Sequence, residues 1–339
     1  MHPNIQVNID RAIADLGETG INLDLQVNLR EYTWFKSGGM ARMIAQPTSI
    51  NALAETVRIL NALQIPFKII GETTNLLFLD DQTYSCLVCT KAISATVLET
   101  KANQIVTETG AMLPSLSRFA LHREIGGFTG FEGIPGTIGG AVFMNAGAYG
   151  TNVQQVLQKV EVIMPDGKIE SIDADKLEFS YRNSVFKKGT HPGIIARAFF
   201  RAVPGNQKKS YAKMEEIHAN RHRHYEYMYP NLGSIFAGSV YRSLGKKDPL
   251  FRVAAAMFYL FNYQLRINKR ETPINRKWLN DLAVKRFGIK FEKQPFSDKS
   301  LNVLVNNNHH TDDLLAYIDQ MKSLVGMDVP IENEIVNPF

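Results

Sequence analysis

The sequence predicts an α+β fold in two parts, and three observations support this prediction. Segments with helical spacing alternate with short apolar runs typical of strands along most of the chain. The turn Pro165-Asp166-Gly167 separates two such runs, which indicates an antiparallel hairpin. A strand over residues 194–203 ends at Pro204-Gly205, where we place the main boundary between the two parts. With 339 residues, the chain is long enough for two or three domains.

Apolar spacing and turn residues predict the elements of both parts. In the first part we expect, in order, helix 8–18, strands from residue 23, strand 41–46, helix 50–63, strand 67–70, strands 85–98 and 104–108, helix 113–122, and strands 158–163 and 168–172. In the second part we expect helix 211–224, a turn at Gly233, two helices within 248–287 separated by Glu271-Thr272-Pro273, strand 301–306, helix 312–325 and strand 331–336. The aromatic residues Phe258, Tyr259, Phe261 and Tyr263 either belong to a core or cover a ligand.

Composition restricts the function classes. A net charge of +5 favours anionic ligands and falls short of a nucleic-acid signature, so no nucleic-acid partner is expected. The basic residues at 221–224 either contact phosphates or form a solvated helix face. Cys86 and Cys89 fit a buried strand, and no metal site is predicted. The N-terminus lacks the features of a secretory signal. The most apolar run, 253–261, is far shorter than the roughly 20 residues that span a bilayer. We therefore expect a cytoplasmic protein without a membrane partner.

Glycine is concentrated between residues 130 and 150, where seven of 21 residues are Gly. Glycine weakens regular structure by about 0.5–1 kcal/mol per residue relative to Ala, but it lets backbone N–H groups approach a ligand closely. A diphosphate and a flat heteroaromatic ring suit such a surface. A glycine-rich surface turn is the alternative, although the apolar residues between the glycines indicate burial. The spacing matches neither the dinucleotide fingerprint G-x-G-x-x-G nor the P-loop.

The string Gly-Ile-Pro-Gly-Thr-Ile-Gly-Gly-Ala-Val at 133–142, followed by Met-Asn-Ala-Gly-Ala-Tyr-Gly at 144–150, resembles the flavin-binding signature of the UDP-N-acetylenolpyruvoylglucosamine reductase family. Further segments resemble the family's motifs in the family's order: 33–39, 71–77, 181–187, 233–236 and 332–336. The resemblance spans about residues 20–336 and is strong up to residue 190.

This resemblance implies a two-part FAD-binding domain of the PCMH/vanillyl-alcohol-oxidase type followed by a smaller α+β substrate-binding domain. We divide the chain into an N-terminal helical segment (1–22), an FAD-binding domain (23–204) with two subdomains that meet near 85–100, and a C-terminal domain (205–339) with an insertion at about 248–287. The implied activity is NADPH-dependent reduction of the enolpyruvyl ether of UDP-N-acetylglucosamine enolpyruvate to UDP-N-acetylmuramate through FAD, in peptidoglycan precursor synthesis. The alternatives are a related flavin reductase for another activated sugar or enol ether, and a flavin-binding protein without turnover.

The resemblance also assigns residues. It implies that Arg182 holds the substrate carboxylate, that Glu334 polarises it, and that Ser234 delivers a proton. The implied FAD contacts are Gly71, Glu72, Thr73, Thr74, Asn75, Leu76, Gly133, Pro135, Gly136, Ile138, Gly139, Ala141, Asn145, Ala146 and Gly147. FAD is expected to bind non-covalently, with NADPH as reductant, in a monomer or weak homo-oligomer whose only expected partner is the nucleotide-sugar substrate.

The sequence departs from the family's motifs in three places. Thr73 and Thr74 replace Gly and Ser in the pyrophosphate loop, and a β-branched residue is awkward where φ is positive, so lower FAD affinity is expected. Ala237-Gly238-Ser239 replaces a Lys-Asn pair near the substrate, and Ser300 replaces a His. The last two departures lie in the C-terminal half and bear on the choice of substrate.

Overall fold

The computed structural model describes residues 3–265 and 275–339. Its first unit is built on a four-stranded sheet in the order β1-β2-β5-β3, in which β1 is antiparallel to β2 while β2 and β3 run parallel to β5. The elements are α1 Pro3–Glu18, β1 Asn22–Asn28, α2 Leu29–Tyr32, β2 Met40–Gln46, α3 Ile50–Ala62, β3 Phe67–Ile70, β4 Leu76–Phe78 and β5 Thr83–Cys89. Helices α1 and α3 share a core in which Leu16 and Leu60 are fully buried, so the N-terminal helix packs on this unit.

The second unit is built on a five-stranded antiparallel sheet in the order β11-β10-β12-β7-β6. Its elements are β6 Thr96–Glu99, β7 Gln104–Glu108, α4 Leu113–His122, a 3₁₀ turn Thr129–Phe131, α5 Ile138–Phe143, β8 Gly147–Ala148, β9 Thr151–Asn152, α6 Val153–Val156, β10 Leu157–Ile163, β11 Ile169–Asp173, a 3₁₀ turn Ala174–Leu177 and β12 Ile194–Arg201. The single strand predicted over 85–98 is wrong: residues 90–95 leave the first sheet, and β6 begins the second. Apolar periodicity gave no sign of this change of sheet.

The third unit is a three-stranded sheet, β13-β15-β14, surrounded by helices. Its elements are α7 Gln207–His224, β13 Asn231–Ser234, α8 Val240–Lys247, α9 Pro249–Tyr259, a π-helical turn Leu260–Gln264, α10 Lys277–Phe287, β14 Phe296–Ser297, β15 Ser300–Val305, α11 Thr311–Val325 and β16 Glu334–Val336. The sequence did not predict α8, which is capped by the Ser239 side chain. The predicted separator Glu271-Thr272-Pro273 lies outside the described residues, as does the Tyr263 side chain.

Two contacts fasten the third unit to the first. Strand β16 pairs in parallel with β4, so Glu334 lies opposite Leu76 directly after the 71–75 loop. The buried Asp80 carboxylate accepts two hydrogen bonds from Arg30, at 3.0 and 2.8 Å, and one from the backbone N–H of Thr311 at the start of α11. Within 3–265 and 275–339, no helix is long and apolar enough to cross a membrane.

Candidate active site

A cavity of about 380 Å³ lies where the three units meet. One wall is β3 and the 71–75 loop, another is the glycine tract around α5, and residues 186–195 and Glu334 complete the lining. Eleven of the FAD contacts implied by the sequence line this cavity: Gly71, Glu72, Thr73, Thr74, Asn75, Leu76, Pro135, Gly136, Gly139, Ala141 and Ala146. Its volume falls within the usual range for small-molecule sites.

The backbone N–H groups of the 71–75 loop form a surface suited to a phosphate. Among the residues that the structure describes, these five N–H groups donate to no acceptor, and the same holds for Gly136 on the opposite wall. By contrast, six other implied contacts already donate their N–H groups to backbone carbonyls: Leu76, Ile138, Gly139, Ala141, Asn145 and Ala146. Backbone N–H groups directed at a concave surface bind anions well. The cavity is therefore suited to an anionic group such as the pyrophosphate of FAD, and the contact of residues 71–75 with that group stays a prediction.

Two glycines bring the walls of the cavity together. A Cβ atom on Gly71 would lie 2.4 Å from the Thr137 hydroxyl oxygen, and one on Gly139 would lie 2.2 Å from the Thr109 hydroxyl oxygen. Both distances are too short for any side chain to be accommodated without movement. The glycines at these two positions are thus required by close approach of neighbouring segments.

Thr73 has a φ of 57°, a left-handed conformation that is rare for a β-branched residue. Its hydroxyl oxygen accepts a hydrogen bond of 2.8 Å from the backbone N–H of Trp34, and the residue is buried. The Trp34 indole in turn donates to the Asn231 carbonyl at 2.9 Å. The tertiary contacts of Thr73 therefore hold a conformation that its side chain disfavours, and the predicted loss of FAD affinity remains a prediction.

Four of the implied FAD contacts do not line the cavity: Gly133, Ile138, Asn145 and Gly147. Ile138 is fully buried in the core of the second unit. The Asn145 amide donates to the Ser180 carbonyl at 3.0 Å, and its oxygen accepts from the Gln154 N–H at 3.1 Å. Both polar ends of the Asn145 side chain are thus engaged by the protein, in an arrangement that holds the end of the glycine tract.

The three candidate catalytic residues converge on the segment 332–334. Arg182 donates from Nε to the Glu332 carboxylate at 3.3 Å. On the other side, the carbonyl of Ile235, next to Ser234, accepts from the Glu332 N–H at 2.8 Å. Glu334 lines the cavity itself, whereas Arg182 and the exposed Ser234 lie outside its lining. One short segment thus connects all three.

Asn75 connects the segment 332–334 to the 71–75 loop. Its side-chain amide donates to the Glu332 carbonyl at 3.0 Å, its side-chain oxygen accepts from the Asn333 amide at 3.0 Å, and its backbone carbonyl accepts from the Glu334 N–H at 2.9 Å. The Asn75 side chain is therefore committed to positioning the segment 332–334.

Sequence reasoning missed two cations in the site. Lys68 lines the cavity and forms an ion pair with Glu334. Lys187 also lines it, and its Nζ donates to the Arg182 carbonyl at 3.1 Å. Burial lowers the pKa of Lys187 and outweighs the opposing effect of Glu334 and Glu332. A lysine within the apolar strand 67–70 was the signal that could have identified Lys68.

Comparisons with known proteins agree with this geometry. The model of an FAD binding domain matches residues 41–173. The UDP-N-acetylenolpyruvoylglucosamine reductase of Lactobacillus helveticus is 33% identical over 66% of this chain and 74% of the relative. The protein of the same name from Fervidobacterium nodosum is 34% identical over 72% and 81%. A crystal structure of the Thermus caldophilus reductase of this name superposes with a TM-score of 0.68 at 20% identity, covering 94% of this chain and all of that one.

The matched domain and the similar reductases define an FAD oxidoreductase, and the predicted α+β fold with its two-part FAD-binding domain is confirmed. The extent of the matches identifies the family more closely. The chain belongs to the UDP-N-acetylenolpyruvoylglucosamine reductase family. The domain boundaries and the roles of individual site residues stay predictions.

Proposed function

We propose that this protein reduces the enolpyruvyl ether of UDP-N-acetylglucosamine enolpyruvate to UDP-N-acetylmuramate, with NADPH as the source of electrons. The observation that carries this proposal is the convergence of Arg182, Ser234 and Glu334 on one segment beside a cavity suited to FAD. The names of the relatives support the substrate. When bound, FAD accepts hydride from a nicotinamide and passes it to carbon.

A neutral enol ether accepts hydride poorly unless the protein stabilises the charge that develops on its carboxylate. Arg182 is suited to this role because its planar guanidinium has five N–H donors, of which only Nε is directed at Glu332. The remaining donors can form a two-point contact with a substrate carboxylate. Glu332 also accepts a hydrogen bond from the Tyr181 hydroxyl, so the Arg182 partner is itself held in place.

Glu334 and Ser234 complete the chemistry. Glu334 hydrogen-bonds the substrate carboxyl group as negative charge moves onto it, and Lys68 holds the Glu334 side chain toward the cavity. Ser234 lies at the end of β13 directly after Gly233, whose φ of 72° turns the strand. Its hydroxyl gives a proton to the carbon next to the substrate carboxylate. A serine is a weak acid, so this transfer depends on the charge that Arg182 and Glu334 stabilise.

The experiment that tests this proposal separates the two half-reactions by stopped-flow absorbance. Ser234→Ala should leave reduction of the flavin by NADPH unchanged and slow its reoxidation by substrate by about 10²–10³-fold, the usual effect of removing one preorganised group. Ser171→Ala, which changes an exposed serine on β11, is the matched control and should behave as the unchanged protein.

Each outcome has a defined meaning. Equal loss of both half-reactions in Ser234→Ala would refute the assigned proton transfer. A flavoprotein that NADPH reduces but this substrate does not reoxidise would indicate a different activated sugar or enol ether. Protein that retains no flavin would refute the proposal at its first step.

A further inference from the structure

The outer side of α9 and the turn after it carries an apolar face that the core does not use. This face, here called the α9 face, consists of five exposed side chains: Leu250, Val253, Met257, Leu260 and Phe261. Their spacing of three, four, three and one residues places them within roughly one third of the helix circumference. Leu250 is 67% exposed and Met257 is 50% exposed, so most of this apolar surface faces solvent.

The opposite side of α9 is firmly packed. Phe251 is fully buried and makes an edge-to-face contact with Phe287 of α10, with ring centroids 5.4 Å apart. Phe258 stacks on the Trp278 indole at 6.4 Å, while Trp278 itself stays 59% exposed. The α9 face is therefore the outer surface of a helix already fixed to the third unit.

Helix α9 and the helices that pack beside it, α8 and α10, carry mostly positive charge. The described residues 240–265 and 275–287 contain eight Lys and Arg residues and two Asp and Glu residues, a net charge of +6, whereas the whole chain carries only +5. The other residues of the chain are therefore net acidic. Two of the basic residues form ion pairs with Asp248 and Asp281. The described exposed cations without an ion pair within 3–265 and 275–339 include Arg242, Lys246, Arg252 and Lys285.

We propose that the α9 face docks on an anionic lipid surface as an interfacial helix. An exposed apolar stripe on a helix, with basic residues on the same and neighbouring helices, is the pattern of helices that lie in the plane of a bilayer. Each Lys or Arg near an anionic membrane surface contributes about 1 kcal/mol. The sequence expectation of no membrane partner considered only the length of the apolar run, which bears on crossing a bilayer and not on lying against it.

Charge argues against a second copy of this chain as the occupant. A twofold contact through the α9 face would bring two sets of described residues of net charge +6 against each other, because such an interface uses the same patch on both subunits. An anionic surface instead neutralises this charge. This inference does not depend on the reaction proposed above.

The experiment measures flotation of the full-length protein with lipid vesicles. Vesicles of phosphatidylcholine containing phosphatidylglycerol should bind the protein, and vesicles of phosphatidylcholine alone should bind it at least about tenfold less. Binding should weaken as salt approaches about 0.15 M, where the Debye length is about 8 Å.

The decisive comparison uses two neighbouring positions on α9. Met257→Glu places a carboxylate in the α9 face, whereas Ala256→Glu makes the same charge change at an exposed position about 100° around the helix. We expect Met257→Glu to reduce vesicle binding about tenfold more than Ala256→Glu does.

Four results would overturn the proposal, and three of them come from the vesicle and association measurements. These are no binding to phosphatidylglycerol vesicles at low salt, equal binding by the two variants, and a concentration-dependent dimer that Met257→Glu abolishes while vesicles remain unbound. The last result would assign the face to a second copy. Capture of an acidic protein by the α9 face in the absence of vesicle binding would likewise overturn it.

Discussion

Replacing Gly139 with alanine should destabilise the protein and weaken its hold on flavin, whereas the same change at Gly140 should not. A Cβ on Gly139 would lie 2.2 Å from the Thr109 hydroxyl oxygen, more than 1 Å inside the 3.4 Å at which ordinary contact begins. Thr109 is buried, and its backbone is bonded on both sides, to Ala196 and to Gly139. It cannot retreat freely, so overpacking should cost about 1–3 kcal/mol.

Gly140 is the matched control because it follows Gly139 in the same helix. A Cβ atom added at Gly140 would lie 3.7 Å from the Thr137 hydroxyl oxygen, its nearest neighbour, and this distance is an ordinary van der Waals contact. Alanine in a helix is favoured over glycine by about 0.5–1 kcal/mol, so Gly140→Ala should be neutral or stabilising. The same gain applies at Gly139, so the two variants should differ by the overpacking cost alone, roughly 1–3 kcal/mol.

Thermal unfolding and the flavin released on denaturation provide the measurements. Each kcal/mol should lower the Tm of Gly139→Ala by about 1–2 °C. Its flavin content should fall because the clash displaces the part of the cavity wall that Gly139 and Thr109 form, whereas Gly140, which also lines the cavity, has room for a methyl group. Thr109→Ala removes the clashing oxygen, so the cost of Gly139→Ala should shrink in that background, as a double-mutant cycle would reveal. Equal Tm values for the two glycine variants, or a cost unchanged by Thr109→Ala, would refute the reasoning.

Two further outcomes follow from the ion pairs. Lys68→Met removes the cation that holds Glu334, and it should slow reoxidation of the flavin by substrate about tenfold, or 1.4 kcal/mol. Lys68→Arg keeps the charge and should keep most of the rate, whereas an unchanged rate in Lys68→Met would contradict a role for Lys68 in the site. Burial acts to raise the pKa of Asp80, but hydrogen bonds from Arg30 and two backbone N–H groups outweigh it and lower the pKa. The stability from this carboxylate is therefore present at neutral pH and is lost as pH falls below about 4. Asp80→Asn should lower the free energy of unfolding by about 1–3 kcal/mol at pH 7 and make it depend less on pH in the acid range. Urea unfolding at several pH values measures this, and the same pH dependence in the variant as in the unchanged protein would contradict the prediction.

Most helices and strands followed from local pattern because their residues carry a clear period. Strand 67–70, strand 104–108 and helix 113–122 were predicted with the bounds that the structure gives them. The division between β5 and β6 was not predictable in this way, since both strands are apolar and only the pairing of β6 with β7 places it in the second sheet. Likewise, no local signal shows that the last strand returns to pair with β4.

The sequence by itself determined the class of this protein, because its motifs resemble those of a single family and stand in that family's order. The tertiary structure alone decided which backbone groups are available to a ligand. Among the described residues, the N–H groups of 71–75 donate to no acceptor, whereas those of Ile138, Gly139 and Ala141 donate to backbone carbonyls. Hydrogen bonds across long sequence separations, such as those joining Asn75 to the segment 332–334, exist only once the chain has folded.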